Sequence, residues 1–251
     1  MAKQKGIIPI EGTLGNITFY RSKEGYLIRE KGGVSKSRIS TDPAFQRTRE
    51  NGAEFGRAGT SGKLIRTAFR EMLLNVSDSK MVSRLTQVLM QVIKADTVSE
   101  RGLRKVNGPN LIFLKGFDFN VNGKLATTLF APYSAEINRS SGQLEITIPP
   151  FSAANMIAAP AGATHFRLIA GGAAIDFEGN TYDAANTGTT HLPLSGADTA
   201  EITLNCTITA ASTKPLLLLF GLEFYQMVND AQYSLKNGAF NCLSVIDISG
   251  E

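Results

Sequence analysis

The sequence predicts an α+β protein: an N-terminal β-hairpin and amphipathic helices, followed by an all-β sandwich domain of jelly-roll or Ig-like type. Three observations lead there. The alternating runs "NITFYR" and "GYLIRE" flank Ser22, Lys23, Glu24 and Gly25 near the start. The middle carries apolar stripes at helical spacing. From Leu111 onward, apolar runs recur about every 10–20 residues between "NG", "SG", "GG" and "EGN", a spacing that suits short antiparallel strands.

Taken in order, residues 1–41 read as an N-terminal arm that includes "GIIPI" and the hairpin. Phe19, Tyr20 and Tyr26 give this hairpin adhesive side chains, and a lone hairpin needs a surface to pack on. Residues 42–96 read as helical. "STDPAF" is a start signal, with Thr41 or Asp42 as the cap and Pro43 in the first turn. Leu64, Ile65, Ala68, Phe69, Met72 and Leu73 form one apolar face. A later helix, capped by Ser77 or Asp78, carries Val82, Leu85, Val88, Leu89 and Val92. Residues 97–110 lose periodicity and read as a linker. Residues 111–251 read as the sandwich, with strands in "LIFLKGFDFNV", "ATTLFA", "SAEINRSSGQLEITI", "THFRLIAGGAAIDF", "AEITLNCTITA", "PLLLLFGLEFYQMV" and "AFNCLSVIDI".

Charge is unevenly placed. Residues 1–107 hold 20 basic and 10 acidic side chains and residues 108–251 hold 6 and 12, a split of +10 and −6 behind the net +4. The basic half therefore meets either an external polyanion or the acidic half of another copy. Arg47, Arg49, Arg57, Lys63, Arg66 and Arg70 are the candidate contacts for either partner. Glu50, Glu54 and Glu71 are near enough in sequence to pair with them instead.

The same stretch scatters glycines through a helical pattern. Each interior glycine costs about 1 kcal/mol relative to Ala, so a gain elsewhere is implied. Gly52 and Gly56, with Phe55 between them, clear one face for a close neighbour. Near Gly59 and Gly62 the expectation is a break in the helix. Gly52, Phe55, Gly56 and Gly59 thus join Phe19, Tyr20 and Tyr26 as candidate interface residues.

Catalytic and cofactor signatures fail on inspection. "GRAGTSGKL" has Arg57 and Leu64 where a phosphate-binding loop needs Gly and a hydroxyl. "DFNVNG" starts like a calcium loop but has Leu129 at the bidentate position, so a tight hairpin turn is expected there. His165 and His191 lie in separate segments and make no zinc set. No nucleophile motif occurs, Asp176 and Glu178 read as a solvated pair, and Cys206 and Cys242 read as buried free thiols. No cofactor or metal is implied.

"GTLGNITFYRSKEGYLIREKGG", "TDPAFQRTRENGAEFGRAG" and "GKLIRTAFR" resemble a bacterial protein family without an assigned activity, with weaker likeness at "TLFAPY" and "LKNGAFNCLSV". The resemblance implies that the helical front and β-rich back form one unit, and it supplies no site residues. The basic start "MAKQKGIIPIEG" lacks the apolar core of a signal peptide, so the expectation is cytoplasmic synthesis, with the final location open. The longest apolar run, 215–224, is too short to span a bilayer. The functional expectation is a non-enzymatic structural protein that assembles with itself into a filament, shell or phage-like particle. The alternative is a nucleic-acid-associated protein that uses the basic half.

Overall fold

The computed structural model describes residues 2–4, 9–23, 25–30, 32–76, 78–229, 231–235 and 238–250. The chain divides into two compact units, Met1–Glu50 and Asn51–Glu251.

In the first unit, β1 (Ala2–Lys3), β2 (Gly12–Leu14), β3 (Ile17–Ser22) and β4 (Gly25–Glu30) make an antiparallel sheet in the order β1-β4-β3-β2. The hairpin expected from alternation is β3–β4, in register from Ile17 opposite Glu30 to Ser22 opposite Gly25. Gly25 has φ +108°, which only glycine adopts without strain. Residues 6–8 of the "GIIPI" run lie outside the described residues. Helix α1 (Lys36–Thr41) is capped by Ser35, whose side chain accepts from Arg38 N. Of Thr41 and Asp42, it is Asp42 that caps the next turn, accepting from Ala44 N at 2.9 Å. A 3-10 turn, Pro43–Phe45, then leads into α2 (Gln46–Ala68).

Helix α2 is unbroken, so the break expected near Gly59 and Gly62 does not occur. Packing outweighs the propensity loss there. Ala58, Leu64 and Ile65 are buried, and a Cβ on Gly62 would sit 3.3 Å from Leu89 Cδ1. After α3 (Arg70–Leu73) comes α4 (Met81–Lys94), which buries Met81, Leu85, Leu89, Val92 and Ile93. Val82, expected in this stripe, is exposed, and Met81 takes the inward position instead. Ser77 lies outside the described residues, while Asp78 accepts from Lys80 N ahead of α4.

Two segments expected as strands are helical turns. Leu111 and Leu114 are buried while Ile112 and Phe113 are exposed, a three-residue spacing that fits the 3-10 helix Pro109–Leu114. "ATTLFA" begins inside α5 (Leu125–Thr128). "DFNVNG" therefore does not join two strands; Asp118 makes only an isolated bridge with Ser244.

The β-rich part holds β5 (Ser134–Asn138) and β6 (Gln143–Ile148), joined by the expected turn at "NRSSG". Helix α6 (Ala153–Met156) precedes β7 (His165–Asp176), β8 (Thr181–Gly188), β9 (Leu192–Pro193) and β10 (Ile202–Thr207). Then follow β11 (Leu216–Val228), β12 (Ala231–Ser234) and β13 (Cys242–Ser249). Strands β10-β6-β5 form one antiparallel sheet. β12-β11-β7-β8 form another, joined by β13 on β11 and β9 on β7.

Alternation along the long strands explains the layering. Ile169, Ala173, Ile175, Leu217 and Leu219 share an apolar cluster with the buried faces of α2, α3 and α4. Their neighbours Leu168, Ala170, Leu218, Phe220 and Leu222 point the other way, into a cluster with Leu144, Ile146, Leu204 and Cys206 of the three-stranded sheet. The larger sheet is thus covered on both faces, which is why β11 reads as a continuous apolar run. Adjacent glycines in β7 allow both covers to come close. A Cβ on Gly171 would strike Met72 and Phe69, and one on Gly172 would lie 3.1 Å from both Cys206 Cβ and Leu144 Cδ2.

Candidate functional site

The arginines of α2 mostly bind the chain's own backbone. Within the first unit, Arg49 Nη1 donates to the carbonyls of Ile39 (2.8 Å) and Asp42 (2.9 Å). In the second unit, Arg57 Nε donates to Arg104 O at 2.6 Å, and its Nη2 donates to Gly102 O. Glu54, buried within α2, accepts from Gly102 N at 2.8 Å and lies 4.0 Å from Arg104 Nε. Glu54 and Arg57 therefore clasp the 101–104 segment, inside the stretch read as a linker, against α2. Arg66 Nε bonds back to Gly62 O at 3.2 Å. Arg47, Lys63 and Arg70 are exposed. Of the neighbouring acids, Glu54 lies beside Arg104, and Glu71 accepts from Asn186.

On a helix, Gly52, Gly56, Gly59, Lys63 and Arg66 follow one another at steps of four and three, so they share a stripe. It lies opposite the stripe of Ala58, Ser61 and Ile65 that enters the core. No described atom comes within 4 Å of a Cβ built on Gly52, Gly56 or Gly59, and Phe55 beside them is 60% exposed. In the first unit, Phe19, Tyr20 and Tyr26 are half-buried. Arg29 stacks 5.4 Å from the Tyr20 ring and Arg21 5.8 Å from that of Tyr26.

Two adjoining hollows in the second unit, of about 340 and 260 Å³, share Lys105, Val106, Phe177 and Glu178. The smaller reaches α2 at Gly56 and Arg57, so two sequence-selected residues line it. The larger is bordered by two ion pairs, Lys105–Glu178 and Lys214–Asp176, the latter at 2.7 Å. Lys214 and the amides of Gly179 and Glu178 hold the Asp176 carboxyl below its usual range. Asp176 and Glu178 are thus paired rather than merely solvated. Asp96 lines the larger hollow as well, so three carboxylates and two lysines surround the apolar floor of Val106, Ile175, Phe177 and Pro215.

The histidines stay apart from this groove. His165 Nδ1 lies 2.9 Å from Thr164 Oγ1, and His191 packs edge-on to Tyr225 at 4.2 Å. Burial and the nearby Arg167 lower the His191 pKa. Cys206 and Cys242 are free and buried. Among the described residues, no three His, Cys, Asp or Glu side chains are grouped to hold a metal, and no helix is long and apolar enough to cross a membrane.

A second polar cluster escaped sequence reasoning. Glu223 of β11 is only 3% exposed and stands in register with Arg167 of β7. The available signal was a carboxylate inside "LLLLFGLEFY" and an arginine inside "HFRLIAGG". A charge within a doubly covered strand is costly unless partnered.

No family model and no curated protein matches this chain. A solved chain from work on pH-induced modulation of Streptococcus parasanguinis adhesion by Fap1 fimbriae aligns over 45% of this chain and 78% of its own length. The identity is 11% and the TM-score 0.21, so this likeness carries no argument.

Proposed function

We propose that the protein is a non-enzymatic structural subunit that assembles with its own copies into a filament, shell or phage-like particle. Its N-terminal arm and the exposed face of α2 make the contacts, and the two packed β-sheets, read as a sandwich, form the body. The observation that carries this reading is the glycine stripe. Gly52, Gly56 and Gly59 weaken the helix, yet no described atom of the same chain uses the space they clear. A second backbone fits such a face closely, with the exposed Phe55 as its anchor.

Two further features support assembly. In the first unit, Leu14 and Ile17 are 77% and 44% exposed, apolar surface that a neighbouring copy would cover. The +10 and −6 halves favour head-to-tail contacts, in which the basic part of one copy meets the acidic part of the next. Such heterologous contacts build rings when they close and filaments when they do not. Size-exclusion chromatography with light scattering, read beside negative-stain microscopy, tests this. Species that grow with protein concentration at low salt are expected; a strict monomer throughout refutes the reading.

A further inference from the structure

Alternation along β5, β6 and β10 gives the three-stranded sheet of the second unit a polar outer face. Leu144, Ile146, Leu204 and Cys206 point into the core, and Ala135 and Ile137 pack against it. The side chains between them point outward, and strand register arranges them in rows. Ser134 and Thr147 belong to one row, Glu136 and Glu145 to the next, and Asn138 and Gln143 to the third.

The middle row carries a conflict. Carboxylates directly opposite each other on neighbouring strands have Cβ atoms about 4.5–5.5 Å apart and repel. The third member of the row, Asn205 of β10, brings no charge. Thr147 Oγ1 donates to Glu145 at 3.4 Å. Among the described residues, neither glutamate has an ion-pair partner. Arg139, in the turn between β5 and β6, donates instead to the carbonyls of Ser212, Lys214 and Ser249.

The counterpart lies on the far layer of the same unit. Helices α2, α3 and α4 cover one face of the larger sheet, and the three-stranded sheet covers the other. The α2 stripe that runs opposite its core face ends in Lys63 and Arg66. Residues three apart on a helix have Cβ atoms about 5–6 Å apart, close to the spacing of the two carboxylates. Neither cation has an ion-pair partner among the described residues. Arg66 uses Nε on its own helix, at Gly62 O, which leaves its terminal nitrogens for a carboxylate from outside. Beside them, Gly56 and Gly59 keep the helix surface low, so its backbone can settle on a flat sheet.

We propose that the outer face of β5, β6 and β10 receives α2 of a second copy, with Glu136 and Glu145 meeting Lys63 and Arg66. This rests on the assembly reading above and names the surface that accepts the glycine stripe. The two faces of one copy point away from each other, so the contact is heterologous, and each copy keeps one face for the next. Pairing the sheet face with itself would add two carboxylates to the row, and pairing Lys63 and Arg66 with themselves would oppose cations. Exposed ion pairs are individually weak and screened by salt, so the contact should dissolve as salt rises.

The experiment is light scattering with negative-stain microscopy on the full chain at low salt. Wild type is compared with Glu136→Lys/Glu145→Lys and with Lys63→Glu/Arg66→Glu, the fold of each checked by circular dichroism. Either double variant alone should need about tenfold or more protein to assemble, because like charges then meet at every contact. An equimolar mixture should regain assembly, since each reversed face finds its complement on the other variant. Glu136→Gln/Glu145→Gln, which removes the charges at nearly constant size, serves where the lysine variant folds poorly, and it too must weaken assembly. A sheet-face variant that assembles like wild type overturns the proposal while leaving assembly itself standing. Folded variants whose mixture stays unassembled overturn the pairing of these two faces. A wild type that stays monomeric throughout overturns both this proposal and the assembly reading.

Discussion

Replacing Gly52, Gly56 and Gly59 together by alanine separates helix stability from assembly. Each site is inside α2, none has positive φ, and no described atom lies within 4 Å of the added Cβ. The substitution should therefore relieve the propensity loss without a clash. At about 0.8–1.0 kcal/mol per site, the isolated chain gains roughly 2.5–3 kcal/mol. For a chain of this size that raises Tm by about 5–12 °C. Three methyl groups on the same stripe would also hold a second helix away from the close approach the glycines permit, so assembly should fall. Calorimetry on dilute protein reads the first effect, and light scattering on concentrated protein reads the second. A stabilised variant that assembles as before refutes the glycine seam. A destabilised variant refutes the open face itself.

Three more outcomes test the rest of the molecule. Glu54→Ala removes the carboxylate that accepts from Gly102 N and pairs with Arg104, and it should cost about 2–3 kcal/mol in urea unfolding. Glu54→Gln should recover part of this, and an unchanged urea midpoint in the alanine variant would dismiss the clasp. The Ser99 hydroxyl and amide hold the Asp96 carboxyl far below its usual range. Its stabilisation is complete above the unfolded pKa of about 3.9 and is lost as pH falls toward the folded value. Asp96→Asn should therefore flatten the acid limb of stability against pH, and an identical limb argues against the assignment. Burial pushes the thiols up to about 11 for Cys206 and about 12 for Cys242. Ellman's reagent at pH 8 should label neither in the native protein and both after unfolding; rapid native labelling contradicts their burial.

Elements that bury one face were legible in the sequence, and elements that bury little were not. Hairpin β3–β4 and strands β6, β10 and β11 announce themselves by alternation or by a continuous apolar run. Strand β8 pairs with β7 along its whole length, yet "TYDAANTG" has no buried residue and hence no pattern to read. The segment "LIFL" misleads for a different reason. Four consecutive apolar residues fit a buried strand, and only burial separates the inward pair Leu111 and Leu114 from the exposed Ile112 and Phe113. The glycines of α2 were visible as an anomaly, but which of them met a neighbour depended on where α4 lies. Gly62 meets Leu89, and the other three face away from the core. The polar cluster at Glu223 was the least legible part, because Arg167 and Glu223 converge from distant segments through strand register.

The placement of the cations bears on which of the two partners a basic half would meet. Arg49, Arg57 and Arg66 donate to carbonyl oxygens of the chain itself. A guanidinium held this way keeps its charge but gives up part of the fork that grips a phosphate. Arg47, Lys63 and Arg70 are the exposed members of the set. Three phosphate contacts from this set would contribute a salt slope of about −2.7 in log K against log salt. In the proposed assembly the charge split would serve contacts between copies, where acidic surface on the next subunit needs no clamped phosphate. Both partners predict weakening by salt, so salt alone does not separate them. Nuclease treatment does: assembly that survives digestion and still dissolves as salt rises places the counter-charge on the protein, whereas assembly that collapses on digestion places it on nucleic acid.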